Sequence, residues 1–333
     1  MIASFVIALP DFWKQLLLHF IPKIPRPVEL PDFRGIALCS TLSKWYAVAV
    51  TIAAQEWLMF NKPPNWSRPL IFAYESDIGC ESLTNALQLL LLKGQEWVQQ
   101  TPVYLLSGDV LTAFDCVTPA AVAKAFRFWN FLQTFINAFI QGLQHLQAQA
   151  CLGGVSAIWL SFLRLLQGGS ESTFLFNLVM RAILYEVDIR FGPFKGIQIP
   201  LLHNFTHAVF ADNYVCAAQS LQDLEQHFSA LTVVLSECGL SWKLSSLCIL
   251  CPKDLEPRTV TSGVHDDAYD LKMCHELVCL GVLLLWIPRS CSLSWTTPRG
   301  STVPCSRCSA RCAWATLDVN PDLWPSYTWA FDT

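Results

Sequence analysis

Apolar residues recur with helical spacing in several segments of the chain. The clearest stripe runs along one face of a helix predicted from about Glu171 to Val187, with apolar side chains at i, i+3, i+4, i+7 and i+8. Thr118 followed by Pro119 marks another helix start, because Thr caps well and Pro needs no N–H at that position. The further predicted helices are 41–60, with Ser40 or Thr41 as cap, 81–99, 130–150, and 220–239, which Ser220 and Asp223 begin and Gly239 ends.

Shorter apolar segments alternate with period two and predict strands. In Pro102–Asp109, Val103 and Leu105 share one face, and Asp109 ends the strand. The predicted hairpin has arms Thr206–Ala211 and Tyr214–Gln219 and carries one carboxylate, Asp212, at its tip. Further strands are predicted near 247–251 and 277–284, whereas 1–38 and the residues after Trp286 are predicted to be irregular. This order of elements predicts an α+β fold with a split βαβ sheet and helices on one face.

The composition is apolar, and it raises the question of a membrane protein. Hydrophobic residues make up 53 % of the 333 residues and charged ones 14 %, where about 25 % is usual, and the mean hydropathy is +0.38. No segment offers the roughly 20 apolar residues of a membrane span: Ala47–Ala54, for example, is followed by Gln55 and Glu56. The first residues have no basic region, so we expect an intracellular, non-secreted protein. A membrane-associated helical protein stays an alternative; it predicts no strands at 103–109 and 206–219.

Charge and cysteine content narrow the choice of partners and compartment. The net charge is −4, the pI is near 6.0 and no Lys/Arg run occurs, which argues against a strongly basic nucleic-acid-binding face. Fourteen cysteines without a secretion signal indicate free thiols rather than a disulfide framework. Two C-x-x-C pairs, Cys248/Cys251 and Cys305/Cys308, could hold zinc, but free thiols are the preferred interpretation because no His follows His275.

Two aspartates are placed for chemistry because each ends a strand in apolar surroundings. If the strands of Asp109 and Asp212 are neighbours, both carboxylates meet at one edge of the sheet. Paired carboxylates on a rigid sheet suit two-metal phosphoryl transfer, in which two ions about 3.5–4 Å apart activate the nucleophile and steady the leaving group. Asp in a hairpin turn is also common for conformational reasons alone, so this pair needs support from the rest of the chain.

That support comes from six sequence blocks in a fixed order, which together resemble the reverse transcriptases of non-LTR retrotransposons. The resemblance spans roughly Ile21 to Leu285, and the family reads F-A-D-D where this chain reads FADN. The blocks are PDFRGIALCSTLSKWYA at 31–47, GDVLTAFD at 108–115, LLQGGSESTFLFNLVM at 165–180, FADN at 210–213, CGLSWKLSSL at 238–247 and CLGVLL at 279–284. The resemblance implies the right-hand polymerase architecture, with fingers (1–100) and a ferredoxin-like split βαβ palm (101–285). An irregular tail (286–333) stands in place of most of the thumb.

The resemblance also implies roles for individual residues. Asp109 and Asp212 would be catalytic and would bind two Mg²⁺ ions, with the Val110 carbonyl as a further ligand. The partners would be an RNA template, a DNA primer and deoxynucleoside triphosphates, and no membrane. The nucleotide-binding residues would be Arg34 and Lys44 at the triphosphate, Phe114 as a steric gate at the sugar, and Gln167 and Gly168 at the base pair; Lys243 could reach the pyrophosphate.

Departures from the family pattern predict a weakened site. Asn213 stands where the family has a further Asp, and an amide brings no charge, so Mg²⁺ would bind weakly. Asp115 is close in the sequence, but we expect it to lie in the following turn and not to substitute. Three hypotheses remain at this point: a reverse transcriptase domain of reduced or absent activity, a catalytically dead palm that at most binds nucleic acid, and the membrane-associated alternative.

Overall fold

The structure is a computed structural model of the chain. It describes residues 10–29, 32–62, 70–74, 78–96, 102–152, 155–162, 164–192, 194–198, 204–252, 255–256, 258–264, 267–285, 294–296 and 302–304. The chain forms two compact units, 1–286 and 287–333, which are described separately. The predicted Cys305/Cys308 pair and the end of the helix predicted to reach Gln99 lie outside the described residues.

Seven α-helices lie in the described part of the first unit. They are α1 (Thr41–Asn61), α2 (Cys80–Glu96), α3 (Ala113–Cys116), α4 (Pro119–Phe128), α5 (Gln133–Leu143), α6 (Ser172–Phe191) and α7 (Leu221–Glu237). The predicted caps explain where three of them begin, because the Ser40, Thr118 and Ser220 hydroxyls accept backbone N–H groups of the first turns of α1, α4 and α7. Gly239 follows α7 with a φ of +76°, a left-handed conformation that favours glycine.

Fifteen strands lie in the described part of the same unit. In chain order they are β1 (Gln15–Pro22), β2 (Phe33–Leu38), β3 (Leu70–Ile71), β4 (Tyr104–Asp109), β5 (Leu146–Leu152), β6 (Val155–Phe162), β7 (Ile197–Gln198), β8 (Asn204–Phe205), β9 (His207–Phe210), β10 (Asn213–Ala218), β11 (Cys248–Leu250), β12 (Thr259–Val264), β13 (Asp267–Cys274), β14 (Glu276–Cys279) and β15 (Val282–Leu285).

The central sheet has the topology that the resemblance predicts. Its strand order is β12-β13-β11-β4-β10-β9-β3, and the four strands β4, β9, β10 and β11 follow the ferredoxin-like order 4-1-3-2 with antiparallel pairing. Helices α6 and α7 occur between β4 and β9 and between β10 and β11, which makes the split βαβ arrangement. The predicted α+β palm fold is therefore confirmed.

Both faces of this sheet are covered, which corrects the prediction of helices on one face only. Leu106 and Ile249 pack into the core formed with α4–α7, whereas Leu105 and Leu250 pack on the opposite face against α2 and the β14–β15 hairpin. Each buried leucine of this kind contributes roughly 1.5–3 kcal/mol. Because successive side chains alternate between two apolar layers, the central strands are apolar at nearly every position.

A second, four-stranded sheet has the order β2-β1-β5-β6 and overturns two predictions. Residues 1–38 were predicted to be irregular, yet β1 and β2 form an antiparallel pair within them. The stretch 130–150 was predicted to be helical, yet only its first part is α5, and β5 pairs with β1 in parallel. Alternation of Leu146 and Ala148 with Gln147 and Gln149 is a strand signal that the apolar composition obscured.

The C-terminal part of the chain contains more strands than the sequence predicts. The single strand expected near 277–284 is a hairpin, β14–β15, turned by Leu280 and Gly281 with positive φ values of 51° and 79°. In the second unit, residues 294–296 pair with 302–304, where no regular structure was predicted. No helix in the described residues is long and apolar enough to cross a membrane. The membrane-associated alternative predicts no strands at 103–109 and 206–219 and is wrong about both segments.

Candidate active site

A cleft of about 580 Å³ lies at the edge of the central sheet where β4 ends. Its walls are β2, the turn and short helix α3 after β4, the segment before α6, and the tip of the β9–β10 hairpin. Most of the residues predicted to act together line this one cleft: Arg34, Asp109, Val110, Phe114, Gln167, Gly168, Asp212 and Lys243.

The sheet register decides which side chain lies opposite Asp109. Strands β4 and β10 are antiparallel, and Asn213 is the residue directly paired with Asp109. Asp212 lies one position earlier, in the turn, where its carbonyl accepts the Val110 N–H at 2.9 Å. Ala211 takes a φ of +53° to close this turn. The two aspartates therefore lie at the same edge of the sheet, and Asn213 stands in direct contact with one of them.

Both carboxylate oxygens of Asp109 already have partners from the chain. The Asn213 side-chain amide donates to Oδ1 at 3.0 Å, and the Lys243 ammonium lies 3.8 Å from Oδ2. The backbone of Asp109 is held as well, because its N–H donates to Ser246 Oγ at 2.8 Å and its carbonyl accepts the Lys243 N–H at 2.9 Å. Asp109 is thus fixed in place by an amide and a cation, and its side chain is 30 % exposed.

Asp212 differs from Asp109 in its electrostatic surroundings. The residue is exposed to the cleft, but the protein around its carboxyl group excludes part of the water, and this desolvation raises the pKa of Asp212. The negative charge of Asp109 raises the pKa further, whereas Lys243 and Arg34 lower it. The protonated form of Asp212 is therefore favoured relative to an isolated aspartate, and a bound cation would oppose that shift.

Gln167 and Gly168 are held against β2 rather than being free in the cleft. The Ala37 N–H donates to the Gln167 carbonyl at 2.7 Å. Gly168 has a φ of +106°, and a Cβ atom there would lie 2.8 Å from the Ala37 carbonyl oxygen. Glycine is required at this position because any side chain would meet the backbone of β2. The resemblance implies that the backbone at Gly168 closely approaches a nucleotide. In the structure it closely approaches strand β2 of the protein itself.

Asp115 is a cleft residue that the sequence argument set aside. It lies on α3, the short helix that follows the turn after β4, and not in the turn itself, and it lines the same cleft as Asp109 and Asp212. Its Oδ2 accepts the Gln167 side-chain amide at 3.2 Å. Burial raises the pKa of Asp115, and Arg164 and Lys23 lower it. The sequence signal for Asp115 was its position within the GDVLTAFD block. Its hydrogen-bond partner, Gln167, lies 52 residues further along the chain.

Phe114 lies beside the cleft with its ring fixed by packing. The ring stacks on Phe176 of α6, with centroids 4.7 Å apart and an interplanar angle of 19°. A stacked pair of this kind adds roughly 0.5–1.5 kcal/mol beyond burial. The ring is therefore a rigid wall and not a mobile surface side chain.

The basic residues divide into those at the cleft and one outside its lining. Lys44 does not line the cleft; it lies near Cys39 and Glu171, whose pKa values are raised by burial, and its positive charge partly opposes that rise. In the described lining, three basic side chains, Lys23, Arg34 and Lys243, face three acidic ones, Asp109, Asp115 and Asp212. The described lining thus contains equal numbers of basic and acidic side chains.

The donor set can be tested against a divalent cation. The described residues contain no group of three or more His, Cys, Asp or Glu side chains placed to hold a metal. Mg²⁺, however, is commonly held by one or two carboxylates together with substrate phosphates and water. Asp109 and Asp212 are hard oxygen donors at one edge of the cleft, so the donor chemistry fits such an ion.

Comparisons with known proteins agree with this geometry. The family model for reverse transcriptase (RNA-dependent DNA polymerase) matches residues 21–259, well over half of the chain. A search of curated proteins found no match.

Solved telomerase structures share the fold. The apo telomerase of Candida tropicalis, truncated from its C-terminal domain, superposes with a TM-score of 0.53 at 10 % identity, covering 77 % of this chain and 53 % of that one. The telomerase of Candida albicans in complex with a TWJ fragment of telomeric RNA superposes with a TM-score of 0.51 at 9 % identity, covering 76 % and 44 %. This chain thus spans about half the length of these telomerase chains.

Proposed function

The chain belongs to the reverse transcriptase (RNA-dependent DNA polymerase) family, and from this premise we propose that the cleft is a nucleotidyl-transfer site of strongly reduced activity. Its substrates are an RNA template, a DNA primer and deoxynucleoside triphosphates. The observation that carries the proposal is the contact of the Asn213 amide with Asp109 Oδ1 at 3.0 Å. An origin in a non-LTR retrotransposon, which the six sequence blocks favour, is part of the same proposal.

In this proposal each described residue has a role that its surroundings support. Arg34 and Lys243 supply positive charge to the triphosphate and the leaving pyrophosphate. Phe114, held by Phe176, crowds the sugar 2′ position and disfavours ribonucleotides by a steric clash. Gln167, oriented by its hydrogen bond to Asp115, contacts the nascent base pair. Lys44, outside the cleft lining, would reach a nucleotide only through a change in α1, and we assign it the weakest role.

Asp109 and Asp212 would hold Mg²⁺ together with phosphate oxygens. The bound ions would supply charge neutralisation and activation of the primer hydroxyl. Asn213 weakens this arrangement in two ways: it adds no negative charge, and its amide N–H occupies an oxygen that a cation would use. Lys243 competes for the second oxygen of Asp109, 3.8 Å away.

The substitution Asn213→Asp tests the proposal. It replaces the amide donor by a carboxylate, so Mg²⁺ affinity rises and primer extension increases by about tenfold or more. The measurement is extension of a DNA primer on an RNA template with deoxynucleotides and Mg²⁺, compared between wild type and variant. Asn137→Asp is the matched control, because Asn137 is exposed on α5, away from the cleft lining, and receives the same charge.

Two results would decide against this assignment. If the wild type already extends primers at the several turnovers per second typical of enzymes, the site is not weakened. If Asn213→Asp binds the template–primer but extends it no better than Asn137→Asp, the catalytically dead palm that only binds nucleic acid is the better description. A wild type that binds neither duplex nor Mg²⁺ would contradict both.

A further inference from the structure

Two half-buried cysteines on neighbouring strands form a site that the polymerase chemistry does not use. We propose that Cys248 and Cys274 are an oxidation site that closes to an intramolecular disulfide when the protein meets a peroxide. The Cys248 and Cys274 sulfur atoms lie 2.8 Å apart, closer than the roughly 3.5 Å at which even two carbon atoms pack best. Only a small further approach leads to the bonded distance of about 2.05 Å.

The sheet brings these two residues together from 26 positions apart. Strands β11 and β13 are parallel, with Cys248 opposite Lys272 and Leu250 opposite Cys274. Opposite residues and alternate residues of a strand share a face, so all four side chains project to the same side of the sheet. The C-x-x-C motif joins Cys248 with Cys251 in the sequence, whereas the strand register brings Cys274 next to Cys248.

The two thiols differ in reactivity. Because Cys248 can donate its proton in a hydrogen bond, it lowers the pKa of Cys274, and with a smaller contribution from Lys272 that pKa falls to about 7. The same contact, together with desolvation, raises the pKa of Cys248. Cys274 is therefore the nucleophile and Cys248 the resolving thiol, since the thiolate is the reactive form.

The chemistry balances with hydrogen peroxide as the oxidant. The Cys274 thiolate attacks one peroxide oxygen, the O–O bond breaks, and a sulfenic acid and hydroxide form; hydroxide takes up a proton to give water. The Cys248 sulfur then attacks the Cys274 sulfur, the S–O bond breaks, and a second water leaves. Two thiols lose two electrons in total, and one peroxide is reduced to two waters.

Zinc fits these residues less well than a disulfide does. Sulfurs bound 2.3 Å from a tetrahedral zinc lie roughly 3.7 Å apart, which is wider than this pair. Cys251 faces His275 Nδ1 at 3.8 Å and the Cys274 carbonyl oxygen at 3.4 Å, and it is buried. The described residues offer no three-ligand group for a metal.

The position of the pair connects it to the cleft. Strand β11 pairs directly with β4, placing Cys248 opposite Ser107, two residues before Asp109. Ser246, two residues before Cys248, holds the Asp109 N–H. A disulfide between β11 and β13 would restrain the C-terminal end of the segment from Ser246 to Cys248, and Ser246 positions Asp109.

The test is oxidation of the full chain with hydrogen peroxide, followed by thiol alkylation, intact-mass measurement and sequencing of tryptic peptides. We expect the loss of two thiols and of the mass of two hydrogens, with one cross-link joining peptides 244–253 and 273–289. Closing this loop should raise the melting temperature by roughly 5 °C, reversibly on reduction.

Matched variants separate this pair from its neighbours. Cys251→Ser and Cys279→Ser should retain the cross-link, whereas Cys248→Ser and Cys274→Ala should abolish it. Where a variant fails to fold, fragmentation of the wild-type cross-linked peptide identifies the bonded residues directly. A cross-link that survives Cys248→Ser, disulfides only between separate chains, or stoichiometric zinc that is lost in Cys248→Ser would each overturn the proposal.

Discussion

The β9–β10 hairpin carries polar groups in two opposite environments. Its tip adjoins the open cleft, whereas its base is buried in the core. At the tip, Asp212 and Asn213 adjoin the cleft, and the charge of one aspartate raises the pKa of the other. The side chains on the inward face of the two strands, which we call the base, are those of His207 and Tyr214; they are 3 % and 1 % exposed and contact His227 of α7. One short element thus holds an acidic group at the edge of the cleft and uncharged groups inside the core.

The base is stabilised by neutral hydrogen bonds and ring packing. The Tyr214 hydroxyl and His227 Nε2 share a hydrogen bond of 3.1 Å, and Phe194 stacks on His227 with centroids 4.1 Å apart. Burial lowers the pKa of His207 to about 4 and that of His227 well below its usual value, and it keeps the Tyr214 phenol protonated. Buried polar groups are tolerated here because they are paired and uncharged.

The difference between the two ends shows how one hairpin serves two purposes. The base contributes to stability, and the tip contributes charge to the cleft at little gain in stability. We therefore expect substitutions at the base to change the free energy of unfolding, and substitutions at the tip to change cation binding.

The largest effect on stability is expected when the pH is lowered, because acid protonates the buried His207 of the hairpin base. The pKa of His207 is about 4 in the native state and about 6.5 when unfolded, so between these values only the unfolded chain binds the proton. Its contribution to stability is complete above pH 6.5 and is lost as the pH falls toward 4, by about 3 kcal/mol. Urea unfolding at a series of pH values measures how steeply the free energy of unfolding depends on pH.

The variant His207→Phe removes this contribution and keeps His227, whose pKa is lowered mainly by burial and which acts on the slope in the same direction in both proteins. Asp212 and Asp115, whose pKa values are raised, change the slope in the opposite direction in both proteins. We expect the free energy of unfolding to depend less steeply on pH in His207→Phe. The control His19→Gln, at an exposed position of β1, should leave this slope unchanged. Equal slopes in all three proteins would show that His207 does not remain neutral in the native state.

Removing one hydroxyl at the base should have an intermediate effect. Tyr214→Phe keeps the ring packing but leaves His227 Nε2 without its partner, at a cost of about 1–3 kcal/mol in the free energy of unfolding. Mg²⁺ affinity, measured by calorimetry, should stay within twofold of wild type. A large loss of Mg²⁺ binding without a loss of stability would contradict the division between base and tip.

The smallest effect on stability is expected at the tip. Asp212→Asn removes a carboxylate whose charge the fold disfavours, so the free energy of unfolding should not fall. Mg²⁺ affinity should decrease by about tenfold or more, because one of two acidic ligands is lost. Mn²⁺ binding followed by electron paramagnetic resonance provides an independent readout. Lower stability with unchanged cation binding would assign Asp212 a conformational role in the turn.

Features that depend on neighbouring residues could be predicted from the amino-acid sequence alone. The apolar stripe of α6, the caps at Ser40, Thr118 and Ser220, and the hairpin around Asp212 follow from side-chain period and local hydrogen bonding. The order of the six blocks was sufficient to predict the palm topology. The replacement of a family aspartate by Asn213 is also visible in the sequence alone.

Contacts between residues far apart in the chain could not be predicted from the sequence and became visible in the folded structure. Strands β1 and β5 became strands because each pairs with the other, although one lies in a Pro-rich segment and the other in an apolar one. The contacts Asn213–Asp109, Asp115–Gln167 and Cys248–Cys274 join residues 104, 52 and 26 positions apart. Sheet register is set by the burial of whole faces across many strands, and no local pattern contains that information.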